Sequence, residues 1–388
     1  MATMPIGNAL HFASATASAG TSAGGTELRL VSTPQARDPR FLEKWQALAE
    51  DAAEPNPFYE PWCLIPSLRH LHGGGQFALF SYIVDGRLRG LIPIERAKRY
   101  YGHRVRHAAA WLHTNAFCST PLVATGYERD FWVALLERLD RQPNGAFFLH
   151  LPQLPADGPM NAALDEVATR DDRLVVTVDE GERAMLSSDL GPEAYLEAAM
   201  STKRRKELRR QYKRLAECGE LTLERRDDDE GLAEWITEFL ALENKGWKGE
   251  AGSALASEES TSAFFTDALT RATQAERLER LALRIDGRAV AMLANFVTPP
   301  GVFSFKTTFD EEYARFSPGL LLQLENLVLL EREGVQWADS CAVEGHSMIE
   351  RLWREKRRIV SRNVAIGGKV RRFAFKQMAA YETRGAKS

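Results

Sequence analysis

Apolar residues recur along this chain in two successive series, and both series predict nearly the same elements in the same order. In the first, Leu28–Val31 reads as a strand, with Phe41–Glu50 and Pro61–Leu71 as helices. Phe77–Val84 and Leu88–Ala97 read as a hairpin around Asp85-Gly86, a dipeptide suited to a two-residue turn. Strand Val105–Leu112, helix Glu128–Leu139, strand Ala146–Leu151, helix Met160–Arg170 and strand Leu174–Val178 follow.

The second series predicts a strand at Leu221–Leu223, a helix at Leu232–Asn244, a glycine-rich loop at Gly246–Gly252 and a helix at Glu258–Ala275. Leu281, Leu283 and Ile285 alternate as a strand does. Asp286-Gly287 turns the chain into Ala289–Phe296, and Pro299-Pro300-Gly301 turns it into Val302–Thr308. Helix Gly319–Glu333, ending at Gly334, strand Gln336–Asp339, helix Ser347–Lys356 and strand Ile359–Ile366 complete it. The two Asp-Gly turns lie 201 positions apart, which suggests a duplicated α/β domain. The expected division is a tail over 1–26, a first domain over 27–195 and a second over 196–388.

Within 388 residues, 44% hydrophobic and 27% charged positions fit a water-soluble globular protein of two domains. No apolar run approaches the roughly 20 residues of a membrane span. Cys63, Cys118, Cys218 and Cys341 are scattered, with no C-x-x-C pair, which argues against a disulfide framework or a zinc site. Residues 1–26 are rich in Ala, Ser, Thr and Gly, without the basic start and apolar core of a signal peptide, and read as a disordered tail. The chain is expected to be cytoplasmic, or peripheral to the inner membrane.

Charge is segregated although the net value is only −3. Helix Ser201–Cys218 carries Lys203, Arg204, Arg205, Lys206, Arg209, Arg210, Lys213 and Arg214, with Leu208, Tyr212 and Leu215 as its apolar stripe. It is either a solvated face or a surface for a nucleotide, tRNA or acidic lipid headgroups. Residues 350–388 are also basic.

The stretch Phe303–Leu320 reads as a strand, a polar turn and a helix start at Ser317-Pro318-Gly319. Ser317 is suited to capping, Pro318 to the first helical position, and Gly319 to close approach of a ligand. Such a start offers free N–H groups and the positive end of the helix dipole to a phosphate. The alternative is a plain cap on a core helix.

Leu242-Glu243-Asn244-Lys245-Gly246-Trp247-Lys248-Gly249, Phe305-Lys306 with Asp310, Tyr313 and Ser317-Pro318-Gly319-Leu320, and Asp339-Ser340 with His346 and Trp353 carry a family likeness. Together they resemble the Gcn5-related N-acetyltransferases (GNAT). The closer likeness is to the CelD type of cellulose biosynthesis, relatives of the FemAB peptidyltransferases. The resemblance covers roughly residues 200–370. It implies tandem GNAT-like domains, each a mixed, mostly antiparallel sheet flanked by helices. It also implies acyl transfer from acyl-CoA, with an acetyl or longer group and without a metal, to an amine or hydroxyl of a small molecule or a saccharide- or lipid-linked acceptor. The family's Gln/Arg-x-x-Gly-x-Gly/Ala loop is here Arg315-Phe316-Ser317-Pro318-Gly319, where Pro318 has no N–H to donate. In the first half, Ser119-Thr120-Pro121-Leu122 lacks the glycine, so that domain is expected to shape the acceptor cleft without binding cofactor.

The resemblance makes Arg315–Leu320 the cofactor loop and places backbone of Phe305–Thr307 against the acyl carbonyl. Glu243, Asp310, Tyr313 and His346 are the catalytic candidates, as base or as acid for the leaving thiolate. Glu243 is otherwise a solvated helix-end carboxylate, Asp310 a turn cap, Tyr313 a packing ring and His346 structural. Trp247, Lys248, Lys306, Asp339 and Trp353 are the substrate-binding candidates. A lysine within an apolar strand, as Lys306 is, requires a partner or water. Two alternatives to acyl-CoA chemistry stay open: a FemAB-like transferase drawing on aminoacyl-tRNA, and a non-catalytic nucleic-acid or membrane-surface binder.

Overall fold

The computed structural model describes residues 25–32, 34–72 and 77–385. The tail expected over 1–26 falls, apart from Gly25 and Thr26, outside the described residues. The chain begins with β1 (Thr26–Leu30), α1 (Pro39–Glu50), α2 (Pro61–His70), β2 (Phe77–Val84), β3 (Arg87–Ala97), β4 (His107–Ala110) and β5 (Leu122–Val123). It continues through α3 (Glu128–Arg141), β6 (Phe148–Pro155), α4 (Pro159–Arg170), β7 (Val175–Leu186), α5 (Pro192–Ala199) and α6 (Thr202–Ala216). Next come β8 (Leu221–Arg226), α7 (Leu232–Lys245), α8 (Trp247–Glu250), α9 (Glu259–Gln274), β9 (Leu278–Ile285), β10 (Arg288–Thr298) and β11 (Gly301–Phe309). The last elements are α10 (Pro318–Glu325), β12 (Trp337–Asp339), β13 (Glu355–Ala365) and α11 (Lys369–Gly385).

These elements form two compact units. The first takes residues up to Leu64, His72–Gly181 and everything from Arg358 onward. The second takes Ile65–Leu71 and Glu182–Arg357. In the first unit the strand order is β1-β2-β3-β4-β6, antiparallel except for the parallel β4·β6 pair. In the second it is β8-β9-β10-β11-β12, antiparallel except for the parallel β11·β12 pair. Each unit is thus a mixed, mostly antiparallel sheet with helices between its strands, and the second repeats the first.

The repeat rests on matched turn chemistry. Asp85 and Gly86 have φ of 49° and 75°, and Asp286 and Gly287 have 49° and 79°. Two successive left-handed residues make the turn whose twist suits a tight hairpin, and Asp-Gly tolerates that conformation. In each repeat an 8-residue strand is thereby returned into an 11-residue strand.

The division differs from the expected one because each repeat closes its sheet with the strand that ends the other repeat's series. Residues 359–365 of β13 pair antiparallel with β6 in the first unit. Met185 and Leu186 of β7 pair antiparallel with β12 in the second. The second unit therefore begins at Glu182, not at 196, and residues after Arg357 return to the first.

Three local expectations are corrected. The helix expected over Ser347–Lys356 is a run of turns, and β13 starts already at Glu355. There the Gly345 N–H donates to Glu350 Oε1 at 2.7 Å and Lys356 Nζ lies 2.9 Å from the same oxygen, so Glu350 fixes a turn. The helix expected over Gly319–Glu333 is α10 followed by a tighter 3-10 segment, Asn326–Glu331. Asn326 begins that segment, its side-chain amide drawn into buried bonds with Asn295 and Gln323. Finally, Ser317 makes no side-chain cap: it is itself left-handed, with φ 54° and ψ 49°.

Candidate functional site

The parallel β11·β12 pair is short. Gly301 faces Trp337, Val302 faces Ala338, Phe303 faces Asp339, and there the pairing stops. β11 runs on to Phe309, whereas β12 ends at Asp339. The end of β12 is fixed by Asp339, whose carboxylate is fully buried. It accepts the Cys341 N–H at 2.8 Å and the Arg357 guanidinium at 3.1 Å, and Arg183 lies 3.6 Å away. The N–H bond two residues on is an Asx turn, and Cys341 takes φ 54°. A residue proposed for substrate binding is thus an ion-paired anchor that turns the chain away from β11.

On the opposite side of the gap β11 is bulged. Ala294 of β10 faces Lys306 and Asn295 faces Ser304, so Phe305 is the extra residue. Bulges bend a strand and re-aim its groups beside active sites. The Phe305 ring stacks against Phe296 and Phe265, 4.3 and 6.3 Å between centroids, and Phe239 and Trp235 extend the stack. Packing of β10 and α9 on this ring, with α7 behind Phe265, holds the bulge in place.

Lys306 follows the bulge. Burial, reinforced by repulsion from the Lys248 ammonium and offset by Glu243, lowers its ammonium to about 8. The neighbouring Cys341 thiol is pushed well above its ordinary value, by burial first and then by Asp339. A thiol so held is a poor nucleophile, whereas an amine near 8 changes charge in the range useful for proton transfer.

Glu243 and Lys248 meet beside this gap. Glu243, on the last turn of α7, is 2% exposed. One carboxylate oxygen takes Lys248 Nζ at 2.8 Å and the other takes the Leu255 N–H at 2.8 Å. Lys248 also approaches the Thr307 carbonyl at 3.5 Å. Both therefore bear on the Lys306 gap, and Glu243 is a buried, paired carboxylate, not a solvated one.

The other sequence-derived candidates lie in varied settings. Asp310 caps the 3-10 turn Glu311–Phe316 by accepting the Glu312 N–H at 3.0 Å, and pairs with Lys245 at 3.2 Å. Tyr313 is half-buried against the second unit's core. His346 is exposed in a turn. Trp247 is 57% exposed and its N–H bonds Glu311 at 2.7 Å. Trp353 is fully buried core, with no acceptor at its indole Nε1.

The Arg315–Leu320 segment, expected to hold cofactor, is more closed than its sequence suggests. Pro318, Gly319, Leu320 and Leu321 are buried. The N–H groups of Leu320 and Leu321 both bond the Ser317 carbonyl, at 2.9 and 3.0 Å. A Cβ on Gly319 would meet Met348 Sδ at 3.1 Å and Phe309 Cδ1 at 3.2 Å, so side chains occupy the approach expected for a ligand. Arg315 is exposed, its guanidinium 4.6 Å from the Phe316 ring. Helix α6 packs against this same 3-10 turn, and Lys203, Lys206, Arg209, Arg210, Lys213 and Arg214 on it are exposed.

One buried polar chain was missed from the sequence. Glu279, paired with Arg225 and Arg332, accepts Asn295 Nδ2 at 2.9 Å. Asn295 Nδ2 also reaches Asn326 Oδ1 at 2.8 Å, and Asn326 Nδ2 donates to Gln323 Oε1 at 3.3 Å. Gln323 Nε2 ends the chain on the Ser304 and Thr307 hydroxyls, each at 3.4 Å, next to the bulge. The available signal was a polar residue within each apolar run. A cavity of about 690 Å³ opens at the other end of β12, lined by Leu190, Gly191, Glu331 and Gln336, and does not include Lys306.

Residues 202–361 match the sequence model of the family described as the acetyltransferase (GNAT) domain. That stretch is similar to the family's domain, and the fold is the mixed α/β GNAT fold. A crystal structure of FemX is similar with a TM-score of 0.57 at 10% identity, over 84% of this chain and 96% of that one. The structure of L-PGS from Bacillus licheniformis gives 0.52 at 14%, over 85% and 92%. The C-terminal domain (DUF2156) of a putative lysylphosphatidylglycerol synthetase from Agrobacterium fabrum gives 0.51 at 14%, over 87% and 95%. At these identities the likeness is one of fold. No curated protein sequence matches the chain.

Proposed function

We propose that the second unit transfers an acyl group from acyl-CoA to an amine or hydroxyl, in the gap where β11 and β12 part. The observation that carries this reading is the bulge at Phe305 with Lys306 beside it, opposite the end of β12. Backbone of Phe305–Thr307 is suited to polarising a thioester carbonyl laid in the gap. The acceptor nitrogen or oxygen adds to that carbonyl and the C–S bond then breaks. The neutral Lys306 amine takes the acceptor's proton, and Tyr313 protonates the departing thiolate. Glu243 positions Lys248, whose charge keeps the Lys306 amine readily deprotonated.

The phosphates of the donor need another holder than a cradle of N–H groups, because the Leu320 and Leu321 donors are engaged and Pro318 has none. Arg315 and the exposed cations of α6 supply positive charge beside the same turn. The acceptor class that best fits the CelD likeness, and the fold likeness to a putative lysylphosphatidylglycerol synthetase, is an envelope saccharide or a lipid-linked precursor.

A second reading, an aminoacyl-tRNA donor, is favoured by the same feature, since α6 bears eight cations within twelve positions. Calorimetric titration with coenzyme A and with tRNA separates the two. Saturable coenzyme A binding, lost on replacing Arg315 and Arg209 by alanine, supports the first. Binding of tRNA alone would replace it with the second. With the donor identified, Lys306→Met should retain donor binding and lose turnover about 10²–10⁴-fold.

A further inference from the structure

We infer that the first unit carries a membrane-binding face for anionic lipid, built from α11 and the segment that precedes β4. The inference stands on residues outside the acyl-transfer site and does not depend on the chemistry proposed there.

α11 is anchored by one face. Phe375 and Ala379, four residues apart, are buried with Tyr100, Phe148 and Ala365. Val370 and Phe373, three apart, lie on another face and are 84% and 64% exposed. Phe147 and Tyr101, in the segments that pack beside α11, are 37% and 66% exposed. The elements are tied together locally. Arg371 donates to the Ala146 carbonyl at 3.1 Å and lies 5.8 Å from the Phe147 ring. The Phe147 N–H bonds the Arg106 carbonyl at 3.0 Å, and Tyr101 meets Tyr100 edge-on at 4.7 Å between centroids.

The two segments that carry Val370, Phe373 and Tyr101 are basic. Residues 96–106 contain five Lys or Arg and no Asp or Glu, and residues 367–380 contain four and none. Among these, Arg372 is neutralised by Asp140. Lys369 and Lys376 are exposed on either side of Val370 and Phe373 along the helix.

Apolar side chains grouped on an exposed face mark an interaction surface. Cations interleaved with them define the cover as anionic. A basic helix with Val and Phe on its outer face is the arrangement that lies in the headgroup layer, apolar groups inserted and ammonium groups on phosphates. A nucleic acid would satisfy the charge and stack on Phe or Tyr, but would leave Val370 without a partner of its own kind.

The test is co-sedimentation of the full chain with vesicles of phosphatidylcholine alone and of phosphatidylcholine with an equal share of phosphatidylglycerol. Binding is expected only to the second, weakening as salt is raised. Val370→Ser with Phe373→Ser should weaken it about tenfold or more, because both groups then gain little from the lipid. Lys369→Glu with Lys376→Glu should weaken it comparably and reduce its salt dependence. All four positions are exposed, and circular dichroism checks that the variants fold. Absence of vesicle binding by the unmodified chain overturns the inference, as does unchanged binding by the Ser variant. Patch-dependent binding to random-sequence RNA without vesicle binding assigns the face to nucleic acid and overturns it equally.

Discussion

Lys248 Nζ lies 2.8 Å from Glu243 Oε1, and it is the cation that keeps a 2%-exposed carboxylate inside the second unit. They are five positions apart, across the break between α7 and α8. The remaining Glu243 oxygen is held by the Leu255 N–H. The carboxylate thus ties the end of α7 to α8 and to the loop beyond it, all of them next to Lys306.

Removing the cation from such a pair strands the carboxylate, at a cost of about 3–5 kcal/mol. Lys248→Met is therefore expected to lower the urea midpoint strongly. Glu243→Gln keeps an acceptor for Leu255 and should cost less. The double variant Glu243→Leu with Lys248→Met should recover much of the loss. Equal midpoints for Lys248→Met and the unmodified protein would show that the pair is not coupled to folding.

Gly319 is expected to respond to side-chain size through packing. A methyl group meets Met348 Sδ at 3.1 Å, where the flexible thioether can yield, and Phe309 Cδ1 at 3.2 Å, where a shift of a few tenths of an ångström suffices. A valine adds two further carbons in the same tight space. Gly319→Ala should fold with nearly normal stability, and Gly319→Val should lose about 1–3 kcal/mol. Denaturant unfolding of both variants decides the matter: if the valine variant is as stable as the alanine variant, the approach to Gly319 is open and suited to a ligand.

Much of the fold was legible because it is written locally. Asp85-Gly86 and Asp286-Gly287 specify their turns by φ alone, and the strands on either side alternate as sheets require. Exchange of the closing strands was not legible, because nothing local in Ile359–Ile366 tells it to pair with β6 instead of β12. Ser347–Lys356 was misread for a related reason. Its composition permits a helix, and a bond from Glu350 to the Gly345 N–H decides otherwise. At the site, Lys306 stood out as a charge within an apolar strand, and Glu243 through its place in the motif that carries the family likeness. Closure of the Ser317–Leu321 start did not, since it depends on Met348 and Phe309, which are distant in sequence or on another element.

Asn326 joins Asn295 to Gln323 in the buried polar chain behind the bulge. Replacing it with leucine preserves approximate volume but leaves both amides without that partner. Unsatisfied buried amides cost about 1–3 kcal/mol. Asn326→Leu should be destabilised by that order. Its partner variant Asn295→Leu should add less than its own cost when combined with it, because the shared bond is lost only once. Strict additivity in the double-mutant cycle would separate the two residues energetically.

Lys306 links stability and activity with opposite signs. In the unfolded chain its ammonium titrates near the ordinary value of about 10.4, whereas burial and Lys248 bring it to about 8 in the fold. Between these values the unfolded chain holds more protons, so stability rises with pH through that window. At neutral pH the folded protein carries the cost of an ammonium partly withdrawn from water beside another cation. Lys306→Met should therefore unfold at higher denaturant concentration than the unmodified protein at neutral pH, and the gap should narrow as pH climbs from about 8 towards 10.4. Turnover should move the other way. If the neutral amine takes the acceptor's proton, the rate of the unmodified protein rises with pH and levels off above about 8. The methionine variant loses both the rate and that rise. The stability gap and the rate profile, measured across the same pH range, report on one amine by two routes. A stable variant with an unaltered pH–rate profile would leave Lys306 as a buried charge without a part in proton transfer, and would move the base to Glu243.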